Sequence, residues 1–327
     1  MPGKLFTVAE ASAAIAAGAA LLVAGDESLL SQLPQGRWIG GTIPYFMTDE
    51  GGQVNRDLVY LDTLPAQVTD VSVRTYPAAE LDRLPADAFD NGFSVIIVPA
   101  GSAAHSRYAA EAAEFSGLFD RPVVGWVSGV HLDDLGTASA KVFAGSGSHV
   151  SDSDAVVLHA ALPEGVLASA EIVNLFRQGD SPTLTFESTG FAQDKVLVDG
   201  VPRVFSEYLN EIGHDVRLPL VADYFGAMIN VSFQSVPTDG GSVSLYAPVF
   251  SGIEYKLAAP VGDYVADFVS HLPVDSVAPT FSCNCILNFV YSELEGKRTG
   301  DIVGPITFGE IAYQLLNQTL VYLTLHD

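Results

Sequence analysis

A mixed α/β fold with parallel and antiparallel sheets, divided between two domains, is what this sequence of 327 residues predicts. Three observations carry the prediction. Residues 93–98 form an unbroken apolar, β-branched run, residues 103–115 place Tyr108, Ala109, Ala112 and Phe115 on one helical face, and residues 122–127 are β-branched again. Such a strand–helix–strand unit is right-handed and its strands are parallel. Beyond residue 140 short apolar runs alternate with Gly, Ser and Asp turns, the texture of antiparallel sheet. The polar, turn-rich segment 178–182 then separates residues 1–181 from 182–327, and the length suits about two domains of roughly 150 residues.

Taken in order, the elements have local reasons. Thr7-Val8-Ala9-Glu10 spells a capping box, an Ala-rich helix follows, Gly18 can close it in the left-handed conformation, and Leu21-Leu22-Val23 begins a strand. After the strand–helix–strand unit, 140–144 and 155–160 read as strands flanking a 145–154 loop, and 168–176 reads as helix. In the second half 183–187 and 195–198 flank a turn, and 202–212 is a helix with Phe205, Tyr208, Leu209 and Ile212 as its stripe. Strands are expected at 226–234, 242–248 and 253–257, a helix at 264–271, and a closing strand at 315–325. No internal repeat is visible.

Composition bounds the function. With 15 Lys+Arg against 39 Asp+Glu the formal charge is −24, which opposes nucleic acid and anionic membranes as partners. A chain that is 48% hydrophobic and 17% charged is ordered rather than disordered. The most apolar stretch, 11–24, is too short for a membrane span and lacks the basic start of a signal peptide. Cys283 and Cys285 are too close for an unstrained disulfide, so reduced thiols and a cytoplasmic location are expected.

Candidate sites follow from residue chemistry. Residues 99–102 join a strand end to a helix start, where free amides favour anions; Ser102, His105 and Arg107 occupy that turn, with capping and solvated surface as the plainer reading. Trp126 and Ser128 end the next strand and would share the crevice, although the Gly-x-Ser-x-Gly frame of a nucleophile elbow is missing. Trp38 and Tyr45 flank Gly40-Gly41 and Pro44, a place for a ligand against bare backbone, with core aromatics beside a bulge as the plainer reading. The 145–154 loop fails both the phosphate-loop and calcium-loop patterns. Cys283-Asn284-Cys285 offers too few ligands for zinc, and no metal or cofactor is expected. Glu310, in an apolar run, must be paired, solvated in a pocket or capping a helix.

Three landmarks in the second half resemble the FIST family (F-box and intracellular signal transduction). Val198-Asp199-Gly200-Val201-Pro202 with Phe205 and Tyr208 is similar to the opening of the FIST C-terminal domain. Phe281-Ser282-Cys283 resembles its Ser-Cys element, and residues 306–311 with Leu316-Asn317-Gln318-Thr319 resemble its closing signature. The match spans roughly residues 183–327, and the first half is similar to the FIST N-terminal domain through its 140–160 hairpin. Asn284-Cys285-Ile286 stands where members often carry an Arg. The resemblance implies a sensory module that binds a small ligand such as an amino acid, here without length for an output domain, and a separate signalling protein as partner.

Together these readings give a small-molecule binding protein with a pocket drawn from both halves. A zwitterionic ligand would find Arg107 or helix-terminal amides for its carboxylate, Glu310 for its amine, and Trp38 or Trp126 for its apolar part. Tyr45, Ser102, His105, Ser128, Cys283 and Asn284 complete the candidate contacts. The rival reading is a hydrolase or transferase using Cys283 with a histidine. A third is an interaction protein using its acidic surface.

Overall fold

Thr7 opens the first helix, Val8–Ala16, through the capping box: its hydroxyl accepts from Glu10 N, and the Glu10 carboxylate accepts from Thr7 N at 2.8 Å. Gly18, at φ 84°, then turns the chain toward the buried strand Leu21–Gly25. This computed structural model describes residues 4–224, 227–272 and 279–326. Its contacts divide the chain into two compact units, Met1–Val173 with His271–Leu315 and Leu320–Asp327, and Asn174–Ser270 with Leu316–Thr319. The segments after His271 thus join the unit that begins the chain.

The mixed α/β class is present. Gly92–Pro99 and Val123–Ser128 run parallel with Ile97 opposite Trp126, and the helix Ala103–Glu111 connects them. That unit is one third of a recurring plan. In residues 4–63 a first strand, Lys4–Phe6, is followed by Leu21–Gly25, Trp38–Thr42, a hairpin (Tyr45–Thr48 and Gly51–Val54) and a closing strand, Val59–Thr63. Asp70–Tyr76, Gly92–Pro99, Val123–Ser128, the hairpin Val142–Ala144 with His149–Ser151, and Ala155–Ala161 repeat it. So do Leu167–Val173, Phe281–Cys285, Gly304–Thr307, the pair Glu310–Ala312 and Gln314–Leu316, and Leu320–His326.

In each repeat the closing strand lies between the first and second strands, antiparallel to both, while the second and third are parallel. The hairpin does not stay at home. The second repeat's hairpin extends the first sheet beside Trp38–Thr42, the third's extends the second beside Val123–Ser128, and the first's extends the third beside Gly304–Thr307. Three six-stranded sheets are thereby interlocked in a ring. This corrects the expectation of no repeat: the recurrence lies in topology, because the crossovers differ in length and one of them holds residues 174–270, the main segment of the second unit.

That second unit is largely antiparallel. Six strands run in the order Val201–Val204, Lys195–Val198, Leu184–Thr185, Tyr255–Leu257, Leu220–Tyr224, Ala227–Val231, and three more in the order Gly190–Gln193, Val243–Val249, Phe233–Ser235. Phe205 packs edge-on to Phe186 at 5.3 Å, and Phe186 likewise to Tyr255 at 5.7 Å.

Several local expectations change. The predicted helix 168–176 is the strand Leu167–Val173, because pairing with Leu320–His326 overrides an Ala-rich helical preference. The 140–144 and 155–160 runs do not pair: Val142–Ala144 turns back on His149–Ser151, and Ala155–Ala161 enters another sheet. The 202–212 helix starts at Phe205, after the strand Val201–Val204. The closing run 315–325 is split at Asn317-Gln318-Thr319 into Gln314–Leu316 and Leu320–His326. Gly226, predicted to begin a strand, lies outside the described residues.

Candidate functional site

The connections between third strand and hairpin decide where the larger unit opens. In the first and third repeats this link is two residues, Ile43-Pro44 and Phe308-Gly309, whereas in the second it runs over residues 129–141. The longer link arches over the carboxyl ends of Leu21–Gly25 and Trp38–Thr42, held by Gly129 N donating to Thr42 O at 2.7 Å and Lys141 N donating to Thr42 Oγ1 at 2.8 Å. Beneath it lies a cavity of about 120 Å³ lined by Asp26, Glu27, Thr42, Arg56, His131 and Asp134, among others. Carboxyl strand ends are where α/β sheets habitually take ligands.

The cavity is polar and charged with both signs. Asn55 Oδ1 accepts from Asp57 N and Leu58 N, and the tight turn so formed presents Arg56. The Arg56 guanidinium reaches Asp26 Oδ2 at 2.8 Å and Asp134 Oδ2 at 2.9 Å, and Asp26 foremost raises its pKa. Asp26 also caps the short helix Glu27–Leu30 by accepting from Ser28 N. Glu27 pairs with Lys141 Nζ at 2.5 Å. His131 stacks on Tyr45 with ring centroids 5.5 Å apart, its Nδ1 accepting from Asp133 N, while the Tyr45 hydroxyl accepts from Leu132 N at 3.0 Å. Arg56 thus clasps the first repeat to the arching link, and an entering anion can compete with Asp134 for one side of the guanidinium.

The predicted site residues separate into distinct places. Tyr45 supports the arch over the cavity. Ser128 precedes the lining residue Gly129 but is fully buried, its hydroxyl donating to Val98 O at 3.4 Å. Trp38 belongs to the core with Ile15, Val23 and Phe143, and its Nε1 donates to Pro34 O. Ser102 caps the helix Ala103–Glu111 by accepting from His105 N at 3.0 Å. His105 Nδ1 accepts from Gly101 N, and burial lowers this imidazole to about 4. Arg107 is held by Glu111, Asp82 and Ala78 O and lies over the Phe115 ring.

Trp126, Cys283 and Glu310 do come together, in the interior. Glu310 is opposite Trp126 across an antiparallel pair, and Trp126 stacks on Phe281 at 5.6 Å. Cys283 Sγ donates to Gly125 O at 3.3 Å; burial, then the Glu310 carboxylate, push its thiol pKa well up. A nucleophile needs the reverse. Asn284 is also buried, with Oδ1 accepting from Cys285 N and Asn288 Nδ2. Glu310 is 0% exposed and so meets no solvent-open cavity. The second repeat's exchanged hairpin sets Val142 opposite Gly41, so the fold accepts an apolar residue where the third repeat carries a carboxylate.

Sequence reading missed Arg56, Asp26, Asp134 and Lys141. Asp26 as a helix cap was the one local signal, since the partners of Arg56 are brought to it only by the fold. Among the described residues no three His, Cys, Asp or Glu side chains are grouped to hold a metal ion, and no helix is long and apolar enough to cross a membrane.

Fold and cavity define an α/β protein of three interlocked sheets carrying a small charged pocket at its strand ends. The chain belongs to DUF6976, a family of unknown function, whose match covers residues 6–326. No curated protein and no solved structure matches it.

Proposed function

We propose that this protein is a small-molecule receptor whose pocket, lined by Asp26, Glu27, Arg56, His131 and Asp134, holds a small zwitterion of the amino-acid class. The observation that carries the reading is the Arg56 clasp: one guanidinium bridging carboxylates on two elements, with a cavity beside it. A ligand carboxylate replaces Asp134 on Arg56, and the ligand ammonium takes the carboxylate so released, so that each charge keeps a partner. A volume of about 120 Å³ equals roughly four waters at ~30 Å³ each, enough for glycine or alanine and too small for aromatic amino acids.

Ligand exchange at Asp134 loosens the 129–141 arch, a change that a separate signalling protein can read. The resemblance to FIST domains supports this sensory role, and the two free, buried cysteines suit a cytoplasmic setting. Calorimetric titration with glycine, alanine, phenylalanine and acetate tests the reading. Glycine or alanine binds, phenylalanine does not, and Arg56→Ala weakens binding at least about tenfold, or ~1.4 kcal/mol. Equal binding by wild type and Arg56→Ala refutes the site.

A further inference from the structure

The smaller unit contains a second cavity, of about 430 Å³, which the amino-acid pocket does not involve. It opens where the chain passes from the strand Gly190–Gln193 into Lys195–Val198, each belonging to a different sheet. A register shift between Gly190 and Ala192 breaks the pairing with Val243–Val249 at that point. Val196, Leu197 and Pro202 give it an aliphatic wall.

The polar lining is weighted toward acceptors. Glu187 and Asp194 are exposed carboxylates; the ion pairs of this unit among the described residues, Arg203 with Glu211 and Arg217 with Asp215, leave both of them and Lys195 out. Ser188 Oγ donates to Gln193 Oε1 at 3.3 Å while the buried Gln193 gives its Nε2 to Ser188 O at 3.0 Å. The hydroxyl proton of Ser188 is thus spoken for, and its oxygen faces a ligand only as an acceptor. Two carboxylates and one ammonium leave the lining one charge negative, and the field of a chain carrying −24 steers cations toward it.

We infer that this cavity binds an aliphatic di- or polyamine, with the carbon chain on Val196, Leu197 and Pro202 and ammonium groups on Glu187, Asp194 and Ser188. Its volume equals roughly fourteen waters at ~30 Å³ each, room for a linear amine of about ten heavy atoms. Lys195 opposes the ligand and sets an upper limit on affinity. The inference is independent of the Arg56 pocket, and either can fail alone.

Calorimetric titration of the full chain with putrescine, spermidine and succinate tests it. Spermidine binds one per chain, succinate does not bind, and the double variant Glu187→Gln/Asp194→Asn loses at least about tenfold in affinity, or ~1.4 kcal/mol. Lys195→Met moves affinity the other way, a result that loss of folding cannot mimic. Three outcomes overturn the inference: no heat with either amine; an equal loss from Asp152→Asn, an exposed acid in the other unit, which would mark diffuse attraction; or succinate binding that Lys195→Met removes.

Discussion

His159 is a buried histidine whose two nitrogens are both committed. Tyr76 donates its hydroxyl to Asp87 at 3.0 Å, so the same oxygen accepts from His159 Nε2 at 3.1 Å, and Nδ1 shares a hydrogen bond with Ser94 Oγ at 2.8 Å. Burial lowers the imidazole to about 4, so the ring is neutral at pH 7 and Nδ1 then accepts from Ser94. An unfolded histidine takes its proton near pH 6.5, so between pH 6.5 and about 4 the unfolded chain binds protons that the folded chain refuses. Stability is full above pH 6.5 and falls as pH drops through this window, by on the order of 3 kcal/mol for this residue. Urea midpoints at pH 7 and pH 5 will show the decline, and His159→Gln will flatten part of it. At the same scale, the raised pKa and burial of Cys283 predict that neither cysteine reacts with a disulfide reagent at neutral pH until denaturant is added. Rapid labelling of one thiol in the native protein would contradict this and revive the nucleophile reading.

At the scale of elements, close backbone approach fixes certain glycines. A Cβ at Gly125 would stand 1.8 Å from Ile96 O, on the neighbouring parallel strand, and neither backbone can retreat without breaking the ladder. Gly125→Ala is expected to cost more than about 3 kcal/mol in urea unfolding or to prevent folding. Gly147, with nothing within 4 Å of its Cβ position, is the control: Gly147→Ala should stay within about 0.5 kcal/mol of wild type. The exchanged hairpins belong to this scale too. Each finds its partner strand in another repeat, so no repeat completes its sheet alone.

At the scale of the chain, the larger unit is built of three interlocked sheets, and residues 174–270 of the second unit are inserted in one of its crossovers. Leu167–Val173 and Phe281–Cys285 lie on either side of Leu320–His326 and both run antiparallel to it, so the inserted unit leaves and re-enters between parallel strands two ladder spacings, about 10 Å, apart. The first repeat spans the same gap with one helix, Val8–Ala16. Replacing residues 174–270 by a short Gly/Ser linker is therefore expected to leave a larger unit that unfolds cooperatively, as read by circular dichroism with heating. A molten product without a transition would show that the sheets need the insert.

The sequence by itself determined what is set within a dozen or so residues. Thr7 and Glu10 make their capping box, Ser102 caps its helix, and the run 92–128 forms a parallel strand–helix–strand unit because periodicity and turn residues act locally. Tertiary structure alone decided the rest. The strand Leu167–Val173 yields its helical preference to a partner more than a hundred residues away, and Arg56 meets Asp26 and Asp134 only after a hairpin exchange and a long link bring three distant segments to one sheet end. Pairing energies between distant segments leave no periodic trace in the chain, which is why a threefold plan in space is absent from the order of its amino acids.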